Sequence, residues 1–74
     1  MKYIRPFIVL HSALENDKAS PIIVYTDAIE VIQPFKFNED TSGSTIQVGG
    51  AFYSVLETPE NILRKIGNAE KGKE

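Results

Sequence analysis

The sequence predicts a mainly β domain with one C-terminal helix, an α+β chain of order ββββ(β)α. Its four to five strands form a small antiparallel sheet or barrel. Three observations lead there. Short runs of β-branched and aromatic residues alternate with polar turn formers, the pattern of strands joined by hairpins. Gly49-Gly50 lies between two such runs, where positive φ is needed for a tight turn. Thr58-Pro59-Glu60 then reads as a helix start, with Ile62, Leu63 and Ile66 as one apolar stripe.

The elements follow in chain order. Tyr3 to His11 is rich in strand formers, but Pro6 lacks a ladder donor, so the first strand starts at Pro6 or Phe7 or lies on a sheet edge. Glu15 to Pro21 is a polar hairpin loop, and Ile22 to Thr26 is the second strand. Asp27-Ala28 makes a bend. Ile29 to Phe37 is a third strand interrupted at Pro34, and Asn38 to Ser42 is a second polar loop. Thr45 to Val48, with Ile46 and Val48 alternating against Thr45 and Gln47, leads into the Gly-Gly turn and a last strand. Gly67-Asn68 is a candidate helix C-cap, which leaves 67–74 as a frayed tail on a single domain spanning 1–74.

The early strands are apolar on both faces: Phe7 and Val9 oppose Ile8 and Leu10, and Ile23 and Tyr25 oppose Ile22 and Val24. One short helix covers only part of one face, so the other requires barrel closure or a second subunit. A chain of 74 residues without cysteine has no disulfides to supplement a small core, which favours a homo-oligomer. A closed monomeric barrel is the alternative.

Charge and composition exclude more than they assign. Eight basic against ten acidic residues give a net charge of −2 and a pI near 5.3, no electrostatic footprint for a nucleic acid or an anionic membrane. No apolar run is long enough to span a bilayer, and the N-terminus lacks a signal-peptide pattern, so a cytoplasmic location is expected. One histidine and no cysteine argue against a zinc site, and Asn38 to Gly43 lacks the ligand spacing of a calcium loop. Gly43, Gly49 and Gly50 match no phosphate-binding pattern. No cofactor is expected. Phe35, Phe37, Phe52 and Tyr53 could stack bases, but only Lys36 is interleaved among them, so core packing is their expected task.

Leu10-His11, Thr26-Asp27-Ala28-Ile29-Glu30-Val31-Ile32, Thr45-Ile46-Gln47-Val48 and Tyr53-Ser54-Val55-Leu56-Glu57-Thr58, followed by Glu60 and Ile66, form a recognisable succession. It resembles the FlbD-like flagellar and swarming motility proteins, a family of short bacterial β-rich chains. The resemblance covers most of residues 7–66 and implies a fold more than an activity, for it brings no catalytic residues. The chain departs from the family in the longer Lys36 to Ser42 insertion and in Gly49-Gly50 where an Asn-Gly type of turn is usual.

His11 is the residue on which any acid–base scheme would have to rest. Its neighbour Ser12 points to the opposite face of a strand and cannot partner it, so a locally hydrogen-bonded strand-end histidine is expected. Asp27 and Glu57 read as caps for backbone donors near strand ends. The expected function is that of a small, non-enzymatic, self-assembling protein acting through protein–protein contacts in a regulatory role. One alternative is an oligomer sequestering an anionic metabolite in clefts lined by Arg5, His11, Tyr25 and Tyr53. Another is a specific nucleic-acid-binding regulator. A local basic patch from Arg5, Arg64 and Lys65, brought together by oligomerisation, would suit a specific anionic ligand.

Overall fold

Alternation of apolar residues along the first two strands sets the inner and outer faces of everything that follows. The computed structural model describes residues 5–13 and 20–71. It contains β1 (Phe7–Ser12), β2 (Ser20–Tyr25), a single 3₁₀ turn (Thr26–Ala28), β3 (Ile29–Lys36), β4 (Ser42–Val48), β5 (Ala51–Val55) and α1 (Pro59–Lys71). The expected loop between the first two strands lies mostly outside the described residues, as does the end of the tail after Lys71.

All pairings are antiparallel, in the order β2-β1-β5-β4-β3. β2 and β3 are therefore edges, and the sheet stays open. The barrel considered from the sequence does not form, because α1 covers the inner face and the sheet need not curl onto itself to bury it. Ile8, Leu10, Val24, Ile46, Val55 and Ile62 are the buried apolar core, with Ile22, Ile29, Ile32, Val48, Ile66 and Ala69 packed around them.

The outer face keeps the other half of the alternation. Phe7, Val9, Ile23 and Tyr25 stand on the β1–β2 hairpin, and Val31, Phe35 and Phe52 on the remaining strands, all exposed. Tyr53 belongs to the inner side, paired with Ile46, but lies at the margin of the helix's cover and stays exposed.

Hydrogen bonds fix which way each strand's backbone points. Thr26 donates to the Pro6 carbonyl, so Pro6 faces β2, while His11 and Ala13 bond toward β5. By alternation Phe7, Val9 and His11 turn their backbone away from β2, and their partners Tyr25, Ile23 and Pro21 turn away from β1. Pro21 thus sits where its missing donor would have faced outward. The same holds on the other edge. Phe37 donates to Thr41, which makes Phe35 and Gln33 inward-bonding and leaves Pro34 facing out. Both prolines interrupt no ladder bond.

Gly49 and Gly50 form the β4–β5 turn with φ of 59° and 86°. Gly43 serves a different need: a Cβ there would lie 2.2 Å from the Val55 carbonyl oxygen and 3.0 Å from that of Leu56. Only glycine lets β4 approach the end of β5 this closely. In the loop before it, the Asn38 side-chain oxygen accepts from the amides of Asp40 and Thr41, a turn built by one residue's carbonyl.

At the helix start, Thr58 Oγ1 accepts from the Asn61 amide at 3.2 Å, as its position before Pro59 predicts. The helix then departs from expectation at its far end. It runs through Gly67 and Asn68 to Lys71 instead of stopping there. Ala69 packs on the core and Thr26 Oγ1 donates to Glu70 at 3.3 Å, so tertiary contacts outweigh the weak helix propensity of glycine and asparagine. The buried stripe is accordingly Ile62, Ile66 and Ala69, one face at helical spacing, and Leu63 falls outside it, exposed.

Replacing Thr58 by Ala should cost about 1 kcal/mol of stability, and Ile62→Ala roughly 2–4 kcal/mol. Gly43→Ala should cost about 3 kcal/mol through overpacking against fixed backbone, against about 1 kcal/mol for Gly49→Ala, which only strains a turn. Urea titration of the four variants measures this ranking.

Candidate functional site

The four residues singled out from the sequence occupy three separate places. Arg5 and Tyr25 meet at one end of the β1–β2 hairpin, where the guanidinium carbon lies 3.9 Å from the centre of the tyrosine ring. The same guanidinium pairs with Asp27 across the 3₁₀ turn, Nη2 to Oδ1 at 2.5 Å. Those hydrogen bonds hold the Asp27 carboxyl below the usual carboxylate range. Arg5 is thus the chief partner of the Asp27 carboxylate, with a smaller contribution from the backbone amide of Asp27 itself. Tyr53 stands on the opposite side of the sheet from Tyr25.

His11 lies at the other end of β1, six residues and about 20 Å of extended strand from Arg5. Its ring is not locally bonded. Glu57, 46 residues later, takes both of its donors: Oε1 accepts from the His11 amide at 2.9 Å, and Oε2 lies 2.7 Å from ring Nδ1. The sequence reading found no such partner for His11. Glu57 did stand out as a cap at a strand end, and it is one, but the donor it caps belongs to β1.

The electrostatics of the pair follow from its position. Burial is the largest influence on the Glu57 carboxyl and raises its pKa, yet the bonds from the His11 ring and amide together outweigh it, leaving the group below its ordinary value. Its side chain is only 12 % exposed, whereas that of His11 is 45 % exposed. An ionised carboxylate can only accept, so Nδ1 carries hydrogen and the lone pair of the neutral ring sits on Nε2. A histidine oriented by a carboxylate is two-thirds of a nucleophilic triad. The third part is not assembled: among the described residues no hydroxyl bonds to this ring, and the nearby Ser44 donates to the Glu57 carbonyl at 2.7 Å. The pair's evident work is to tie β1 to the connection between β5 and α1.

The basic residues considered as a patch are each engaged apart. Arg64 donates to Asn61 on its own helix, and Lys65 Nζ donates to the Val9 carbonyl at 3.0 Å. Phe35 and Phe37 meet edge to face at 4.9 Å between ring centres. Among the described residues no three His, Cys, Asp or Glu side chains cluster as metal ligands, and no helix is long and apolar enough to cross a membrane.

What the arrangement offers instead is a surface. On the outer face, the strand residues at positions 7, 9, 11, 21, 23, 25, 31, 33, 35, 43, 45, 47, 52 and 54 include no Lys, Arg, Asp or Glu. Ile23 and Phe52 are 67 % and 65 % exposed on it.

Because Glu57 is held below its ordinary value of 4.5, its contribution to stability is complete above that pH and is lost as pH falls from there through the lower folded value. Glu57→Gln should lower stability at neutral pH and flatten this acid limb. Urea midpoints between pH 3 and 7, compared with wild type, test it.

Comparison of the chain with protein-family models, curated proteins and solved structures finds no match in any of the three.

Proposed function

We propose that the protein is a small, non-enzymatic, self-assembling protein that acts through contacts of its apolar outer sheet face, with a second copy of the chain as the first occupant. The observation that carries this reading is the imbalance between the two faces. Six apolar residues, Ile62 of the helix among them, are buried between helix and sheet, while the outer face displays seven large apolar side chains to solvent. Exposed apolar surface of this kind marks an interaction site. A copy suits it because the strands offer no Lys, Arg, Asp or Glu on this face and the charged groups beside it, Arg5 with Asp27 and Glu57 with His11, are paired within the chain, so two such faces meet without strong like-charge repulsion.

The dispersal of Arg5, His11, Tyr25 and Tyr53 gives no comparable support to an anionic-ligand cleft, and the engagement of Arg5, Arg64 and Lys65 gives none to a nucleic-acid surface. The resemblance to FlbD-like proteins adds a regulatory setting to the reading, with the cytoplasm as the corresponding location.

Light scattering at tens of micromolar should give a mass above that of the 8.2 kDa chain. Phe52→Ser, which alters the outer face without touching the core, should shift the mass toward the monomer. A monomer mass for the wild-type chain would overturn the reading.

A further inference from the structure

The two edges of the sheet are not equivalent, and the difference points to how copies meet. β3 is defended. It carries Pro34 with its nitrogen outward, a register irregularity between Ile29 and Val31, and Glu30 and Lys36 along its length. These are the devices that keep edge strands from pairing.

β2 has almost none of them. Its sequence, Ser20-Pro21-Ile22-Ile23-Val24-Tyr25, holds no charge and no bulge, and only Pro21, near its start, lacks a donor. Ile23 and Tyr25 turn both N–H and C=O away from β1, by the alternation established above. A row of outward backbone donors and acceptors is met best by another strand.

We propose that two copies join edge to edge through β2, antiparallel about a two-fold axis at Ile23, so that their sheets run on as one. This rests on the self-association proposed above and specifies one contact through which it occurs. In that register each Ile23 amide donates to the partner's Ile23 carbonyl, and each Tyr25 amide donates to the partner's Pro21 carbonyl. Pro21 therefore serves as an acceptor, the one ladder role open to it. The contact is isologous, so it closes at two chains and leaves the defended β3 edges outermost.

The side chains favour the same partner. Ile23 meets its own copy directly across the axis, an apolar β-branched pair of the kind that stabilises cross-strand neighbours, and no like charges face each other. A dimer of ordinary size takes roughly 800 Å² from each partner, more than a bare six-residue edge offers. The two-fold contact makes up for this indirectly: it lays the outer faces of both β1–β2 hairpins side by side as one apolar floor, which stays open to the outer-face contact proposed above.

The test compares Ile23→Pro with Ile23→Ala in the full chain. Proline at this outward-facing position removes only the edge donor and leaves the β1 ladder intact, while alanine keeps the donor and trims the side chain. Far-UV circular dichroism checks that each variant is folded. Sedimentation should show self-association weakened at least about tenfold by Ile23→Pro, and several-fold less by Ile23→Ala. In the wild-type chain the Ile23 amide should exchange with solvent more slowly as concentration rises. If Ile23→Pro associates like wild type, or Ile23→Ala is equally impaired, the edge contact is overturned while self-association through the outer face stands. A wild-type chain that is monomeric overturns both. Should Ile23→Pro fail to fold, Tyr25→Pro against Tyr25→Ala provides the same comparison, for Tyr25 is the other outward donor and its φ of −74° suits proline.

Discussion

The structure depends on how β1 fills its second edge. β5 reaches only the last residues of β1: Ser12 pairs with Val55, Ala13 donates to Ser54, and Leu56 donates to the His11 carbonyl. Beyond that point the neighbouring strand has already turned toward the helix. The bonds a strand would have made come from side chains instead, with the Glu57 carboxylate on the His11 amide and the Lys65 ammonium on the Val9 carbonyl. Charged groups make stronger hydrogen bonds than a neutral peptide does, which suits them to completing an edge with few contacts. The helix is thus fastened to the same strand whose inner side chains it covers.

That arrangement explains why the sheet has one dry face and one bare face. Glu57 and Thr58 direct the chain across the inner side, where Ile62, Ile66 and Ala69 complete the core, and the helix is too short to do more. Ser44 and Gly43 stand under the crossing. Ser44 donates to the Glu57 carbonyl, and Gly43 admits the Val55 and Leu56 carbonyls. Polar and steric fit meet at one junction, so the course of α1 is determined within a few residues of its start.

How much of this was legible in the sequence depends on the range of the interaction concerned. The Gly49-Gly50 turn and the Thr58-Pro59 helix start are local, and each is found where its residue chemistry places it. Two-faced apolar alternation in β1 and β2 likewise gave the inner and outer sets. The helix end was misread because Gly67-Asn68 is a local stop signal, while Ala69 and Glu70 are held by residues far away in the chain. The His11 partner was missed for the same reason, since no spacing rule links residues 46 apart. Strand order was equally hidden: the joining of β1 to β5 depends on the helix connection, and hairpin logic alone gives only sequential neighbours.

The outward placement of Pro21 and Pro34 has a consequence for folding fidelity. In a hairpin whose sides are both apolar, sliding one strand by a single residue exchanges two hydrophobic faces and carries only a mild penalty in burial. Here such a slip would also rotate each proline nitrogen toward its neighbour, breaking a rung of the ladder and pressing a ring into the adjoining backbone. The two imino acids thus act as alignment keys. Pro21 penalises the frame-shifted pairings that the repetitive side-chain pattern of β1 and β2 would otherwise tolerate, Pro34 does the same for β3 on β4, and neither alters a native bond.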